Sequence, residues 1–506
     1  VIVCLRLTIA NLYVTCRAEA RRYRGTAMDL AQVTEWITTL DGKVWQPFAM
    51  PLVLLIVGLL LTMATGVVQI RRFPRALKMV LASAFSKEDK RAKTITPFQA
   101  LSTALASTVG NGNIGGVATA ILIGGPGAVF WMWVTATLGM ATKYSEAVLG
   151  VHYRVTRESG ELASGPMYYI TRGLGGSSLG KTLAWMFAFF GMAAAMFGTG
   201  NMAQSNTVAR TFVEAVRVTT GATISTWIPG ILITIVVGMV LLGGIKRIAH
   251  VAEKLVPSMI ALYLLAAISF VIINFAQVPH VLALIFTEAF TPTAAVGGFI
   301  GASVAQSIAA GVSRGVLSNE AGLGSAPIAH GIADVKHPAE QGLVGVFEVF
   351  IDTIIVCSMT AFVILTSGMW TDPAYQNASG DLTAAAMSTS IPFATIIVAI
   401  CSFLFGFSTL IGWCYYGEKC FEYIFGSAYR KIYRVLFVAL IMVGAVVSVP
   451  LVWAIGTLLN GFMAFPNLIG LFLLLGVVKK ITVDYFDNGG KDYSVAHPTT
   501  GARIGN

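Results

Sequence analysis

The stretch TVGNGNIGG, residues 108–116, is where residue types and spacing come closest to a chemistry. Gly110, Gly112 and Gly115 stand at G-x-G-x-x-G spacing. In a dinucleotide-binding loop that pattern needs a strand before it, a helix after it and an acid about twenty residues on. Here one long apolar stretch precedes it, another follows, and residues 132–135 are MWVT where the acid should stand. The nucleotide reading therefore fails, and Asn111 and Asn113 point elsewhere. In hydrocarbon every backbone N–H and C=O must be satisfied, so non-helical backbone survives only inside protein or beside a polar cavity. Glycine lowers the cost of leaving the helix, and asparagine supplies a donor and an acceptor. An unwound turn would offer N–H groups to a carboxylate, and carbonyls to a hard cation such as Na⁺ or to an ammonium group. One break thus suits a zwitterion and its coupling ion.

The surrounding elements must then be membrane helices. Of 506 residues, 56% are hydrophobic and 11% charged, against about 25% charged in soluble domains. Apolar runs long enough to span a bilayer centre on 44–70, 96–124, 128–151, 183–207, 227–245, 255–275, 296–312, 343–367, 393–413, 436–449 and 453–478. The chain reads as an all-α polytopic membrane protein with about eleven transmembrane helices. Its net charge of +10 follows the positive-inside rule rather than marking a nucleic-acid binder. Arg71, Arg72, Arg75, Lys78, Lys87, Lys90, Arg91 and Lys93 follow the first span. Alternate connections hold Arg154 and Arg157, Lys246 and Arg247, Arg314 and Lys336, then Lys419, Arg430 and Arg434. The connections 277–295 and 368–392 hold no Lys or Arg; Arg210 and Arg217 break the pattern. This predicts a plasma-membrane protein, amino terminus outside and carboxyl terminus cytoplasmic. Residues 1–27, basic on the wrong side and preceding Met28, read as a non-native or disordered leader. Residues 28–480 read as one transporter domain and 481–506 as a cytoplasmic tail. The cysteines form no metal spacing.

One peripheral helix followed by ten gives two five-helix sets, about 96–275 and 296–478. An odd number per set inverts the second, the usual plan of secondary transporters, whose sites lie where corresponding helices are broken. The second broken first helix is expected in VGGFIGASVAQSIAAGVSRG, at Gly297, Gly298, Gly301 and Gly311.

At PFQALSTALASTVGNGNIGGVATAI, GGPGAVFWMWVTATLGMATKYSE, GPMYYI, GGIKRIAHVAEKLVP, SRGVLSNEAGLGSAPIAH, FIDTIIVCSMTA and STLIGWCYYGE, the chain resembles the sodium:alanine (alanine or glycine:cation) symporter family, over about residues 44–478. The resemblance implies a leucine-transporter-like fold of the amino acid-polyamine-organocation superfamily, carrying alanine and glycine with Na⁺ and no covalent cofactor. It implies that the substrate carboxylate meets backbone near Asn111 and Gly112. It also implies an Na⁺ site from the carbonyls of Ala106 and Val109 and the hydroxyls of Ser408 and Thr409, with Asn113 matching a ligand of another Na⁺ site.

Spacing adds further candidates. Thr409 and Trp413 share a helix face, and Trp413 would wall the site down to a methyl-sized side chain. Gln204 is a candidate substrate contact; Phe197, seven residues earlier, and Ile308 are candidate walls. Glu348 and Asp352, four apart, are intramembrane acids for ion coupling, a buried ion pair or a helix end. Lys143 and Glu146 are expected to snorkel, and His330 and His337 to be solvated in a connection. An enzyme is disfavoured: GSSLG at 176–180 lacks the strand–turn–helix context of a nucleophile elbow, and neither H-E-x-x-H nor a P-loop occurs. A channel filter repeats around an oligomer, whereas this chain carries two halves. An H⁺-coupled carrier, or one for another small solute, is the alternative.

Overall fold

The computed structural model describes residues 30–47, 49–84, 95–157, 160–241, 244–294, 299, 301–376 and 380–489; the expected leader lies outside them. Helices dominate. In chain order the principal ones are α1 (Leu30–Val44), α2 (Met50–Ala64), α3 (Phe73–Ala84), α4 (Pro97–Thr108), α5 (Val117–Gly124), α6 (Gly127–His152), α7 (Ser178–Phe197), α8 (Met202–Thr220) and α9 (Trp227–Leu241). There follow α10 (Gly244–Ile273), α11 (Val278–Glu288), α12 (Val304–Asn319), α13 (Pro338–Val349), α14 (Ser358–Ser367), α15 (Ala394–Phe425), α16 (Arg430–Val446), α17 (Val449–Leu473) and α18 (Leu475–Asp487). Two π-helical turns, Gly112–Gly116 and Phe350–Cys357, lead into α5 and α14. The two-residue strands β1 (Val155–Thr156) and β2 (Leu162–Ala163) pair antiparallel.

Leu265, Ile272, Ile235, Met239 and Val435 are each more than half exposed, an apolar exterior that suits lipid rather than water. Among the described residues five helices are long and apolar enough to cross a membrane: Ser178–Thr220, Arg247–Ile273, Pro338–Ser367, Ala394–Phe425 and Leu451–Leu473. The count of eleven is not reached by that measure. Met50–Ala64 and Trp227–Leu241 are 15 residues each, and the span expected at 96–124 is interrupted at its centre. The last helix runs to Asp487, through the first seven residues of the expected tail, because Ile481 and Thr482 are buried against the bundle.

At the centre, α6 packs between α12 and α13, while α15 packs along α7, α8 and α4. These contacts hold two interrupted helices face to face.

Candidate functional site

The first interruption follows α4. That helix opens with a capping box between Thr96 and Gln99, which satisfies two of its free amides, and it buries residues 100–108. Val109 then turns extended, with ψ 91°. In a continuing α-helix the amides of Gly110 and Asn111 would bond the carbonyls of Ala106 and Ser107. Instead Gly110 donates to Asn113 Oδ1 at 2.8 Å, and Asn111 donates to Gln204 Oε1 at 3.1 Å. The carbonyls that close α4 are thereby released from helical duty. Asn111 ties the break to α15: its Oδ1 accepts from Ser402 Oγ at 2.7 Å, and its Nδ2 donates to Ser402 O at 3.3 Å. Asn113 ties it to the other π turn, donating to Asp352 Oδ1 at 2.7 Å.

The second interruption lies further along than expected. Gly301 has positive φ, 87°, just before α12 begins, but α12 has its own capping box, Ser303 with Gln306, and is wound without a break through Gly311 to Asn319; Gly297 and Gly298 lie outside the described residues. Gly311 serves close packing instead, since a β-carbon there would strike the Ala128 carbonyl and approach Trp131 Cβ at 2.7 Å. The chain leaves the helix at Glu320, in left-handed conformation with φ 58°, and Gly322 and Gly324 follow at φ 91° and 85°. The Ala321 amide goes to Asn319 Oδ1 at 2.9 Å and the Gly322 amide to Glu146 Oε1 at 3.1 Å. A single turn, Pro327–His330, resumes the helix.

Between the breaks is a small, closed-in hollow of about 20 Å³. Gly110 and Gly112 line it from the first break, Leu317 and Glu320 from the second, and Gln204, Thr409 and Trp413 from α8 and α15. Thr409 Oγ1 is buried and makes no hydrogen bond with the protein among the described residues. Ser408 Oγ donates to Phe405 O at 2.9 Å, and Trp413 Nε1 donates to Glu320 Oε1 at 2.7 Å. The structure thus brings Asn111, Gly112, Gln204, Thr409 and Trp413 together. Ala106, Val109, Asn113 and Ser408 are buried on the same breaks and helices.

Two expected walls are elsewhere. Phe197 is 43% exposed: its seven-residue spacing to Gln204 assumed one continuous helix, but α7 ends at Phe197 and α8 begins at Met202. Ile308 is only part-buried and does not line the hollow; it lies twelve residues before Glu320, about 18 Å along α12. Asn201 bridges to Phe437 O at 2.8 Å, a packing role. Arg314, expected in a connection, is inside α12 and lines the hollow.

The acids are organised in two groups. Asp352 is fully buried and receives Asn113 Nδ2, Ser318 Oγ at 2.8 Å and Thr353 Oγ1 at 2.8 Å. Glu348 accepts from Lys143 Nζ at 3.1 Å and from His330 Nε2 at 2.6 Å. Gln341 Nε2 donates to His330 Nδ1 at 2.6 Å, which leaves Nε2 to carry the proton shared with Glu348. Lys143, Glu146 and His330 are fully inaccessible, and His337 nearly so. Neither snorkelling nor solvation applies, because α6 runs through the middle of the bundle with helices on both sides. Glu320 was missed by sequence reasoning, as was the pairing of Lys143 and His330 with Glu348, an acid it had singled out. The available signal was Lys143 and Glu146 three apart on one helix face, with no run of charge around them to make that face a solvated one.

Comparison with known proteins decides what this arrangement belongs to. The sodium:alanine symporter family matches residues 30–497. The chain is 46% identical over 449 residues to the sodium/alanine symporter AgcS of Methanococcus maripaludis, covering 88% of this chain and 96% of that protein. The chain belongs to the sodium:alanine symporter family. A second family member, an uncharacterized transporter of Haemophilus influenzae, is 43% identical over 89% of this chain and 95% of that one. A member named as a probable sodium/glutamine symporter, GlnT of Bacillus subtilis, is 37% identical over 92% of this chain and 93% of its own. The crystal structure of MhsT in complex with L-phenylalanine covers 80% of this chain and 92% of its own at TM-score 0.50 and 13% identity, which shows a shared leucine-transporter-like fold. Membership makes the chain a multi-pass membrane transporter, not an enzyme.

Proposed function

We propose that this family member takes up alanine or glycine together with Na⁺ by alternating access. The observation that carries the reading is the pair of opened helices facing one small hollow, one supplying carbonyls freed from helical bonding and the other a bend at Glu320. The amino acid lies against Asn111 and Gly112, with Gln204, Thr409 and Trp413 as its other contacts. Na⁺ lies at the carbonyls of Ala106 and Val109 with Ser408 and Thr409, whose unpartnered Oγ1 is suited to a cation. Asn113 is the candidate for another ion position. Trp413 leaves room for a methyl side chain, which favours the smallest amino acids.

The family name and the AgcS name, both of which specify sodium and alanine, support the choice of ion and solute. In the membrane the chain has eleven crossings, one peripheral and ten in two inverted sets, with residues 28–480 as the transporter. Its amino terminus is outside and its carboxyl terminus cytoplasmic, as the basic residues arrange it. The alternative is H⁺ coupling, and the observation favouring it is Asp352, a buried carboxylate whose hydrogen-bond donors are all neutral.

Labelled alanine uptake into proteoliposomes, with Na⁺ and H⁺ gradients imposed separately, is the test. Uptake follows the Na⁺ gradient. Ser408→Ala and Thr409→Ala each raise the Na⁺ concentration for half-maximal uptake ~10-fold, a loss of about 1.4 kcal/mol. Uptake driven by the H⁺ gradient alone refutes the reading.

A further inference from the structure

Glu320 is the carboxylate that lines the hollow. Its side chain is 1% exposed, and both oxygens are fixed: Oε1 by Trp413 Nε1 and Oε2 by Ser325 Oγ. Among the described residues neither oxygen meets a cationic side chain; Lys143, the nearby ammonium, is bonded to Glu348. The backbone holds Glu320 at φ 58°, a conformation that a non-glycine residue adopts only where its surroundings impose it. That bend turns the side chain away from the continuation of α12 and toward α15, across the hollow.

The charges around it are unbalanced. Lys143 is within electrostatic reach of Glu146, Glu320 and Glu348 together, so one ammonium faces three carboxylates in a region shut off from water. Buried charge calls for a counter-charge. The carboxylate that borders the hollow can find one in whatever enters it. Each of its oxygens has a lone pair left after one hydrogen bond, in a site otherwise lined by backbone, hydroxyls, the Gln204 amide, indoles and the guanidinium of Arg314, which makes no ion pair with Glu320 among the described residues.

We propose that Glu320 receives the ammonium group of the transported amino acid, and so sets the requirement for a free α-amine. The inference rests on the reading of the hollow as the amino-acid site. It assigns the two ends of the zwitterion: the carboxylate to the first break at Asn111 and Gly112, the ammonium to the second. Trp413 then has two duties, as a wall and as the donor that aims the carboxylate.

The experiment measures alanine uptake under a fixed Na⁺ gradient in proteoliposomes, with competition by propionate, which lacks the amine. In the wild type alanine competes and propionate does not. Glu320→Gln raises the alanine KM at least ~10-fold and narrows the preference for alanine over propionate by a similar factor, while Na⁺ alone still raises the melting temperature as in the wild type. Glu320→Asp keeps the charge, so it raises KM but retains the preference; this variant decides the matter if Glu320→Gln does not fold. An unchanged alanine KM and unchanged preference in Glu320→Gln overturn the inference, as does loss of the preference in Glu320→Asp. Failure of the wild type to take up any amino acid with Na⁺ overturns the underlying functional reading instead, and the two failures are distinct.

Discussion

Gly110 has no room for a side chain: a β-carbon there would fall on Thr409 Oγ1 and come within 3.4 Å of Gln204 Oε1. Gln204 Oε1 is held by the Asn111 amide and Thr409 is buried on α15, so the methyl group of Gly110→Ala has to push the first break away from α15. Alanine uptake should fall at least ~100-fold, with detergent-solubilised protein still eluting as a single species; wild-type uptake in this variant would mean the break tolerates displacement. At this scale much was readable in the residues themselves. Asparagines in mid-membrane have few uses, so Asn111 and Asn113 stood out, and both prove to latch the first break to neighbouring helices. Phe197 and Ile308 did not behave, because spacing reports a shared face only while the helix carrying it stays unbroken. Glu320 was invisible for the converse reason: an acid beside glycines reads as a loop residue until the surrounding helices bury it.

Between elements, the decisive contact is Lys143 of α6 against Glu348 of α13, 3.1 Å apart and wholly buried. Because three carboxylates share that one ammonium, its removal and theirs are not equivalent. Lys143→Met leaves several buried carboxylates uncompensated and should destabilise the protein by about 3–5 kcal/mol. Glu348→Gln removes one of three and keeps a hydrogen-bonding group for His330, so about 1–2 kcal/mol is expected. Thermal melts of the two variants side by side check the order; equal losses would mean that the charges are screened by water. Helix existence was readable from apolar runs, but the second interruption was not. Glycine serves both close packing and backbone reversal, and Gly311 does the first while Gly322 and Gly324 do the second. Pattern alone does not separate the two; a positive φ does.

Over the whole molecule, α18 closes one end of the bundle. Val478 is fully buried, Tyr144 Oη and Thr482 Oγ1 are 3.2 Å apart, and the His337 imidazole, in the connection before α13, meets Asp484 at 3.3 Å and stacks on Tyr485. Burial holds His337 below its usual value of about 6.5, with Asp484 opposing the shift. A histidine whose native value is depressed contributes stability above its unfolded value, and that contribution is lost as pH falls through and below about 6.5. The melting temperature should therefore decline between pH 7.5 and 5.5, and His337→Gln should flatten the decline; an identical slope in the variant would exclude this residue as the source. The helical, membrane-embedded character of the chain was plain from composition. What periodicity could not supply was which helices lie side by side, since in lipid an apolar face meets tails and neighbours alike.

The two π turns touch. Asn113 of one bonds Asp352 of the other, and Thr360, just past the second, bonds the Asn113 carbonyl at 2.7 Å. A wide turn holds one residue more than an ordinary α-helical turn, and relaxing it rotates everything beyond by about 100°. Neither segment is free to rewind alone, because the rotation would tear its polar atoms from the other. The two loosened coils are thus pinned to each other by side chain and by backbone.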